Sequence, residues 1–204
     1  MKPNYIKLIS AVLVLALSSL ACGAGSSVTP AAPTAPPTSV PIEEVKQWAA
    51  SASASSEFGV SGWIAAEATG SPDTTECGDN STAWASSSTD TVEWLQLGYT
   101  TPVYATQVVI HITYNPSYVT AVELIDTNGS YHSVYTAQPT PMACPAQLTI
   151  SFAKTTYLVS GVRITIDQAT LNSWSEIDAV QLIGTLQYGC PEITTSSADF
   201  QMWR

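Results

Sequence analysis

The ten residues CGDNSTAWAS, Cys77 to Ser86, put a thiol, the carboxylate of Asp79, the amide of Asn80 and two hydroxyls just ahead of Trp84. Charged residues make up only 11% of the chain, so such a cluster needs a reason. Three kinds of chemistry are open to it. A catalytic site would use the acid and the thiol. A hard cation such as calcium would use side-chain and main-chain oxygens, of which it takes six to eight. A third use is a firm turn leading into a core strand.

Catalysis finds little support elsewhere. There are two histidines, His111 and His132, with no third ligand at metal spacing, no HExxH and no GxSxG. Carboxylates pair at Glu43-Glu44 and again at Glu176 and Asp178, where the strand is expected to turn one to each side. Binding is better supplied. Trp63, Tyr114, Tyr118, Trp174 and Trp203 lie in or beside turns, where a flat ring can stack on a sugar and an amide can bond its hydroxyls. Tyr118 in NPSYVT and Trp174 in LNSWSE are the candidate platforms, with Asn115 and Asn172 as polar neighbours. The competing role for each ring is to cap the end of a core.

The elements that would hold these residues read as strands. In TQVVIHITY, Val108, Ile110, Ile112 and Tyr114 share one face and Val109, His111 and Thr113 the other. QLTISFA and GVRITID alternate in the same way, as do EWLQLGY, VTAVELIDT, SYHSVYTA and EIDAVQLIG. A period of two over such runs marks half-buried strands. Asn128-Gly129 between two of them is a two-residue hairpin signal. No stretch sustains a helical period. The expectation is an all-β antiparallel sandwich of seven or eight short strands.

The ends of the chain speak for export. Lys2 and Lys7 precede an apolar run from about Leu8 to Ala21, which is shorter than the roughly 20 residues of a membrane span. Residues 1–21 therefore read as a signal peptide. Cys22 follows directly after SLA, and this tetrapeptide resembles a bacterial lipoprotein signal, which implies that Cys22 is acylated. Ser19 stands where an aliphatic residue is commonest in such signals, and cleavage near Gly23 or Ala24 is the alternative. Residues 22–43 are rich in Pro, Ala and Thr, cannot repay their ordering entropy, and read as a spacer. A folded domain is expected over 44–186 and a tail over 187–204. The expected location is the cell membrane, lipid-anchored and extracytoplasmic, with no other membrane contact.

Without Lys2 and Lys7 the chain carries four basic residues against sixteen acidic ones. That balance speaks against nucleic acid and anionic lipid as partners, since both need positive surface. Beyond Cys22 there remain Cys77, Cys144 and Cys190, of which two should pair in an exported protein. Three pairings are possible, and the residues alone do not choose.

Taken in order, ATGSPD, CGDNSTAWAS, EWLQLGY, VVIHITYNP, VTAVELIDTNG, GVRITID and WSEIDAVQLIG resemble the discoidin-like, galactose-binding-like jelly roll. The version found beside the protease part of pappalysins looks nearest. The resemblance covers roughly Trp48 to Leu186. It implies a structural calcium site near CGDNSTAW, with Asp79, Thr82 and a closing Glu176 as ligands, and Asp73 or Glu67 as further candidates. Cys77, however, stands where the family's first aspartate would be, replacing a hard oxygen with sulfur. The resemblance therefore also implies a substitute, a Cys77–Cys144 bridge that staples the turn covalently, and it makes Trp84 a core residue. The reading of the sequence is a non-catalytic extracellular ligand-binding module for glycan. The alternative is an interaction or scaffold module that docks a surface protein, and a third is a carbohydrate-active enzyme on the same architecture.

Overall fold

The computed structural model describes residues 42–187 apart from 117, 141 and 171. The signal peptide, Cys22, nearly all of the spacer, Cys190 and Trp203 lie outside the described residues. The described part has eight strands. They are β1 (Glu44–Trp48), β2 (Ser51–Ala54), β3 (Val92–Tyr114), β4 (Val119–Asp126), β5 (Tyr131–Thr136), β6 (Ala146–Ser151), β7 (Val159–Asp167) and β8 (Glu176–Thr185). One 3-10 turn spans Ala65–Ala68.

Every strand pairing is antiparallel, and β3 holds the two layers together. The runs EWLQLGY and TQVVIHITY, read separately in the sequence, are the two halves of this one 23-residue strand. Its first half lies between β2 and β7, in a sheet ordered β2–β3–β7–β4–β5. Its second half lies between β8 and β6, in a sheet ordered β1–β8–β3–β6. The register breaks between Gly98 and Val103. Pro102 falls in that gap, where the ladder does not need its missing N–H. The expected all-β sandwich is the observed fold.

The core forms where the alternation places it. Leu95, Leu97, Val108, Ile110, Leu124, Ile164, Ile166 and Leu182 are all but inaccessible to solvent. Burying each such side chain contributes about 1.5–3 kcal/mol. One strand departs from the simple pattern. Val109 and Thr113, on the face opposite Val108 and Ile110, are buried as well. At the end of the strand the loop ahead of Trp84 lies against it, and the Gly78 N–H donates to the Thr113 carbonyl over 3.0 Å. A sandwich strand covered on both sides loses the polar face that period-two reasoning assumes.

The register also fixes which loops meet. Val92 pairs with Asp167, Tyr114 with Glu176, Ile112 with Ala146 and Ala121 with Thr136. The start of β3, its end, and the connections β3–β4, β5–β6 and β7–β8 therefore share one end of the sandwich.

Candidate functional site

At this loop end CGDNSTAWAS proves to be a turn fastened in three ways. Cys77 is bonded to Cys144, 67 residues away, which ties the turn to the β5–β6 connection. Trp84 is fully buried and forms an isolated bridge with Ile177 of β8, with N–H to carbonyl bonds in both directions. Its indole Nε1 donates to the Ser56 carbonyl, so it is a core residue that also anchors the preceding loop. Gly62 fits beneath the turn because a Cβ there would lie 2.9 Å from Ser81 Cβ.

Above this fastening lies a row of three aromatic rings. Phe58 packs edge-on against Trp63 at 5.5 Å and against Trp174 at 5.2 Å. Phe58 is 51% exposed, a large apolar surface to leave in water. The Trp63 Nε1 donates to Asp79 Oδ1 over 2.9 Å, and the Trp174 Nε1 donates to the Ser86 carbonyl over 3.0 Å. Phe58, Trp63, Trp174, Asp79, Ala85 and Glu176 surround a crevice of only about 20 Å³. That is room for about one water, so any ligand must lie on the rings rather than sink between them.

Backbone strain gathers at the same end. Trp63, Asn115 and Asn172 are the non-glycine residues with positive φ among those described, at 55°, 41° and 50°. For a ring as large as tryptophan this is an outlier, and such strain persists only where its surroundings enforce it. Asn115 Nδ2 donates to Ser173 Oγ and to the Trp174 carbonyl, fixing the β7–β8 loop against the β3–β4 turn. Asn172 accepts from the Thr89 hydroxyl and is exposed. Gln168 is fully buried. It donates to Ser86 Oγ and the Ser88 carbonyl, and accepts from the Ser175 N–H.

Of the predicted platforms, Trp174 lies in this row and Tyr118 does not. Tyr118 is 4% exposed and belongs to the hydrophobic core, so neither of its faces is open to a sugar. A tyrosine directly before the first residue of β4 is drawn in when the sandwich closes at that point. Phe58 was not among the predicted residues. The sequence sign for it was its place directly before Gly59, with Gly62 close behind, which marks a tight loop.

The proposed ion ligands separate into two groups. In one, Glu176 sits beside Asp79 and accepts the Asn80 N–H at Oε2 over 3.0 Å. Burial, reinforced by the Asp79 carboxylate, pushes the Glu176 carboxyl up to about 8. In the other, the Thr82 hydroxyl bonds the Thr74 hydroxyl, and Thr74 in turn meets Asp73 and Asp178. Asp178 is raised to about 6, by burial first and then by Asp73 beside it. Among the described residues no group of three or more His, Cys, Asp or Glu could hold a metal ion. Glu176 and Asp79 meet as a pair while Thr82 bonds Thr74, so these three do not come together as a calcium ligand set. Glu176 and Asp178 also correct an expectation. Both are buried and both bond the loop of residues 74–80, because residues two apart on a strand share a side.

The histidines lie apart from all this. His111 meets Trp48 edge-on on the β1–β8–β3–β6 sheet, and His132 pairs with Asp126 at 2.9 Å while stacking on Tyr157 at the β4–β5 hairpin.

The family model described as Pappalysin-1, SD scarf domain, C-terminal matches residues 40–192. Comparison with the curated proteins finds no match. Among solved structures, chitosan-binding module 1 of a chitosanase/glucanase from Paenibacillus sp. IK-5 is 19% identical, with a TM-score of 0.50 over 66% of this chain and 93% of its own. The Clostridium perfringens module CpGH89CBM32-4, in complex with GlcNAc-α-1,4-galactose, is 14% identical, at 0.50 over 66% and 89%. The lectin binding domain of Lectinolysin, complexed with Lewis b, is 14% identical, at 0.50 over 66% and 92%. At these identities the likeness is one of fold.

Proposed function

The chain belongs to the Pappalysin-1 SD scarf domain family, and from that premise we propose that its sandwich is a non-catalytic carbohydrate-binding module held outside the cell by a lipid on Cys22. The observation that carries this reading is the row Phe58–Trp63–Trp174 at the loop end, with Phe58 exposed, the two tryptophans half-buried, and Asp79 at its flank. A sugar ring offers one face of C–H groups to such rings, while its hydroxyls find acceptors at the rim. Glycan-bound relatives of the same fold lend the reading support. The shallow crevice suits binding on the rings, since about 20 Å³ is too little space to surround a scissile bond with catalytic groups.

On this reading the ion of the family's turn is replaced by the Cys77–Cys144 bond. The bridge performs the same task, holding the turn against its neighbours, without needing oxygen ligands.

The test is a glycan array probed with the purified chain and with Phe58→Ala and Trp174→Ala. Saturable binding that falls at least tenfold in either variant, about 1.4 kcal/mol, supports the platform. Silence across the array, together with capture of a surface protein, would instead favour a scaffold role. The anchor has its own test, because Cys22→Ala should release the protein into the medium and retention at the membrane would refute lipidation.

A further inference from the structure

The outer face of the β2–β3–β7–β4–β5 sheet carries a trench unrelated to the loop end. Leu95, Leu97, Val162, Ile164, Val122 and Leu124 point into the core, so their neighbours in each strand point out. The register sets Ser51, Gly98, Gly161, Ile125 and Tyr131 side by side across five strands. The next outward row is Ser53, Gln96, Arg163, Glu123 and Ser133. The two central positions of the first row have no side chain, and the result is a trench of about 230 Å³.

Space, not backbone conformation, requires these glycines, for neither adopts a positive φ. A Cβ on Gly98 would lie 2.5 Å from Ser51 Oγ, and one on Gly161 would lie 2.9 Å from the Leu97 carbonyl oxygen. Serine hydroxyls flank one side of the trench and Ile125 the other.

The adjoining row supplies a cation. The Arg163 guanidinium lies 4.3 Å from the centre of the Trp94 ring and 5.5 Å from that of Tyr131. Two rings thus hold its plane in place, at little further entropy cost when a ligand binds. The ion pairs among the described residues are Lys46–Glu44 and His132–Asp126, so Arg163 has no carboxylate partner there, although Glu123 is its register neighbour. Its five N–H donors match a carboxylate, which such a fork grips in two places. The Tyr131 hydroxyl donates to Gln96 Oε1 over 2.9 Å, fixing that amide at the trench wall. The floor's backbone groups belong to the sheet ladders, so a peptide cannot add here as a strand.

We propose that this trench is a second binding site, for a uronic acid residue of an acidic polysaccharide. The sugar ring lies over Gly98 and Gly161, its carboxylate meets Arg163, and its hydroxyls meet Ser51, Ser53 and Gln96. This site stands or falls separately from the loop end.

The probes are the trimers of galacturonate, mannuronate and glucuronate, each as free acid and as methyl ester, titrated calorimetrically into the full chain. At least one acid trimer should bind saturably, with its ester about tenfold weaker or worse, and its affinity should fall as salt rises. Arg163→Gln should cost tenfold or more. Ser53→Glu sets a carboxylate at an exposed position on the trench wall and should do the same with the melting temperature preserved. Trp174→Ala should lower binding of neutral glycans and leave the acid trimer unchanged. The proposal is overturned if no acid trimer binds the folded protein, if both trench variants keep wild-type affinity, or if Trp174→Ala alone abolishes acid binding.

Discussion

Removing the Cys77–Cys144 bond by the double substitution Cys77→Ala/Cys144→Ala should lower stability by an amount the structure allows to be worked out. The bond closes a loop with a sequence separation of 67. Loop-closure entropy for that length gives about 4.4 kcal/mol at 25 °C as the chain-entropy value, and engineered and natural bridges of this kind deliver about 2–4 kcal/mol. For a domain of this size each kcal/mol moves the melting temperature by about 2–4 °C, so the double variant should melt roughly 5–15 °C lower. The effect should also be local. The bond joins the turn that carries Asp79 to the β5–β6 connection, and Gly78 is further held to Thr113 of β3. Hydrogen exchange of residues 74–82 should therefore accelerate in the variant more than that of β4 or β7. Differential scanning calorimetry in parallel with exchange measurements is the assay. A melting temperature within 2 °C of wild type, with unchanged protection of 74–82, would refute the claim that this bond fastens the loop.

Other outcomes follow from the same site. Excess EDTA or millimolar calcium should shift the melting temperature by less than about 1 °C, because the Asp79, Thr82 and Glu176 side chains do not converge as ligands; a clear rise with calcium would restore the ion. Glu176 has its carboxyl raised from 4.5 to about 8 in the fold. The unfolded chain thus holds fewer protons than the folded one between these values. Stability is fully present below about pH 4.5 and falls as pH rises to 8, at no more than about 1.4 kcal/mol per unit. Glu176→Gln should flatten that slope in denaturant titrations at pH 5 and 8. Tyr118→Ala should cost about 3–5 kcal/mol through the cavity it leaves, and whatever glycan affinity the folded fraction shows should be that of wild type.

The strand pattern was legible because it is local. GVRITID alternates, and Val162, Ile164 and Ile166 are buried where the alternation puts them. TQVVIHITY was read correctly as a strand but only half correctly as a surface, since Val109 and Thr113 on its expected polar face are buried, Thr113 where Gly78 of a loop earlier in the chain bonds it. Trp174 could be chosen from its turn context. Tyr118 has the same context and the opposite fate, because only the closing of the two sheets decides which ring is swallowed. Phe58 escaped notice since an aromatic beside glycines looks like any loop residue until Trp63 and Trp174 are brought to either side of it.

By itself the sequence showed the alternation of β-strands over residues 44–186 and an acidic balance of charge. These properties reside in periodicity and composition, which need no partner distant in the chain. The tertiary structure alone decided that Asp79 meets Glu176 while Thr82 meets Thr74, that three rings line one end, and that two glycines lie side by side next to the row that carries Arg163. Each of these depends on strand register, and register is set by the whole core at once, since a slip of one residue would turn every side chain of a strand to the other face.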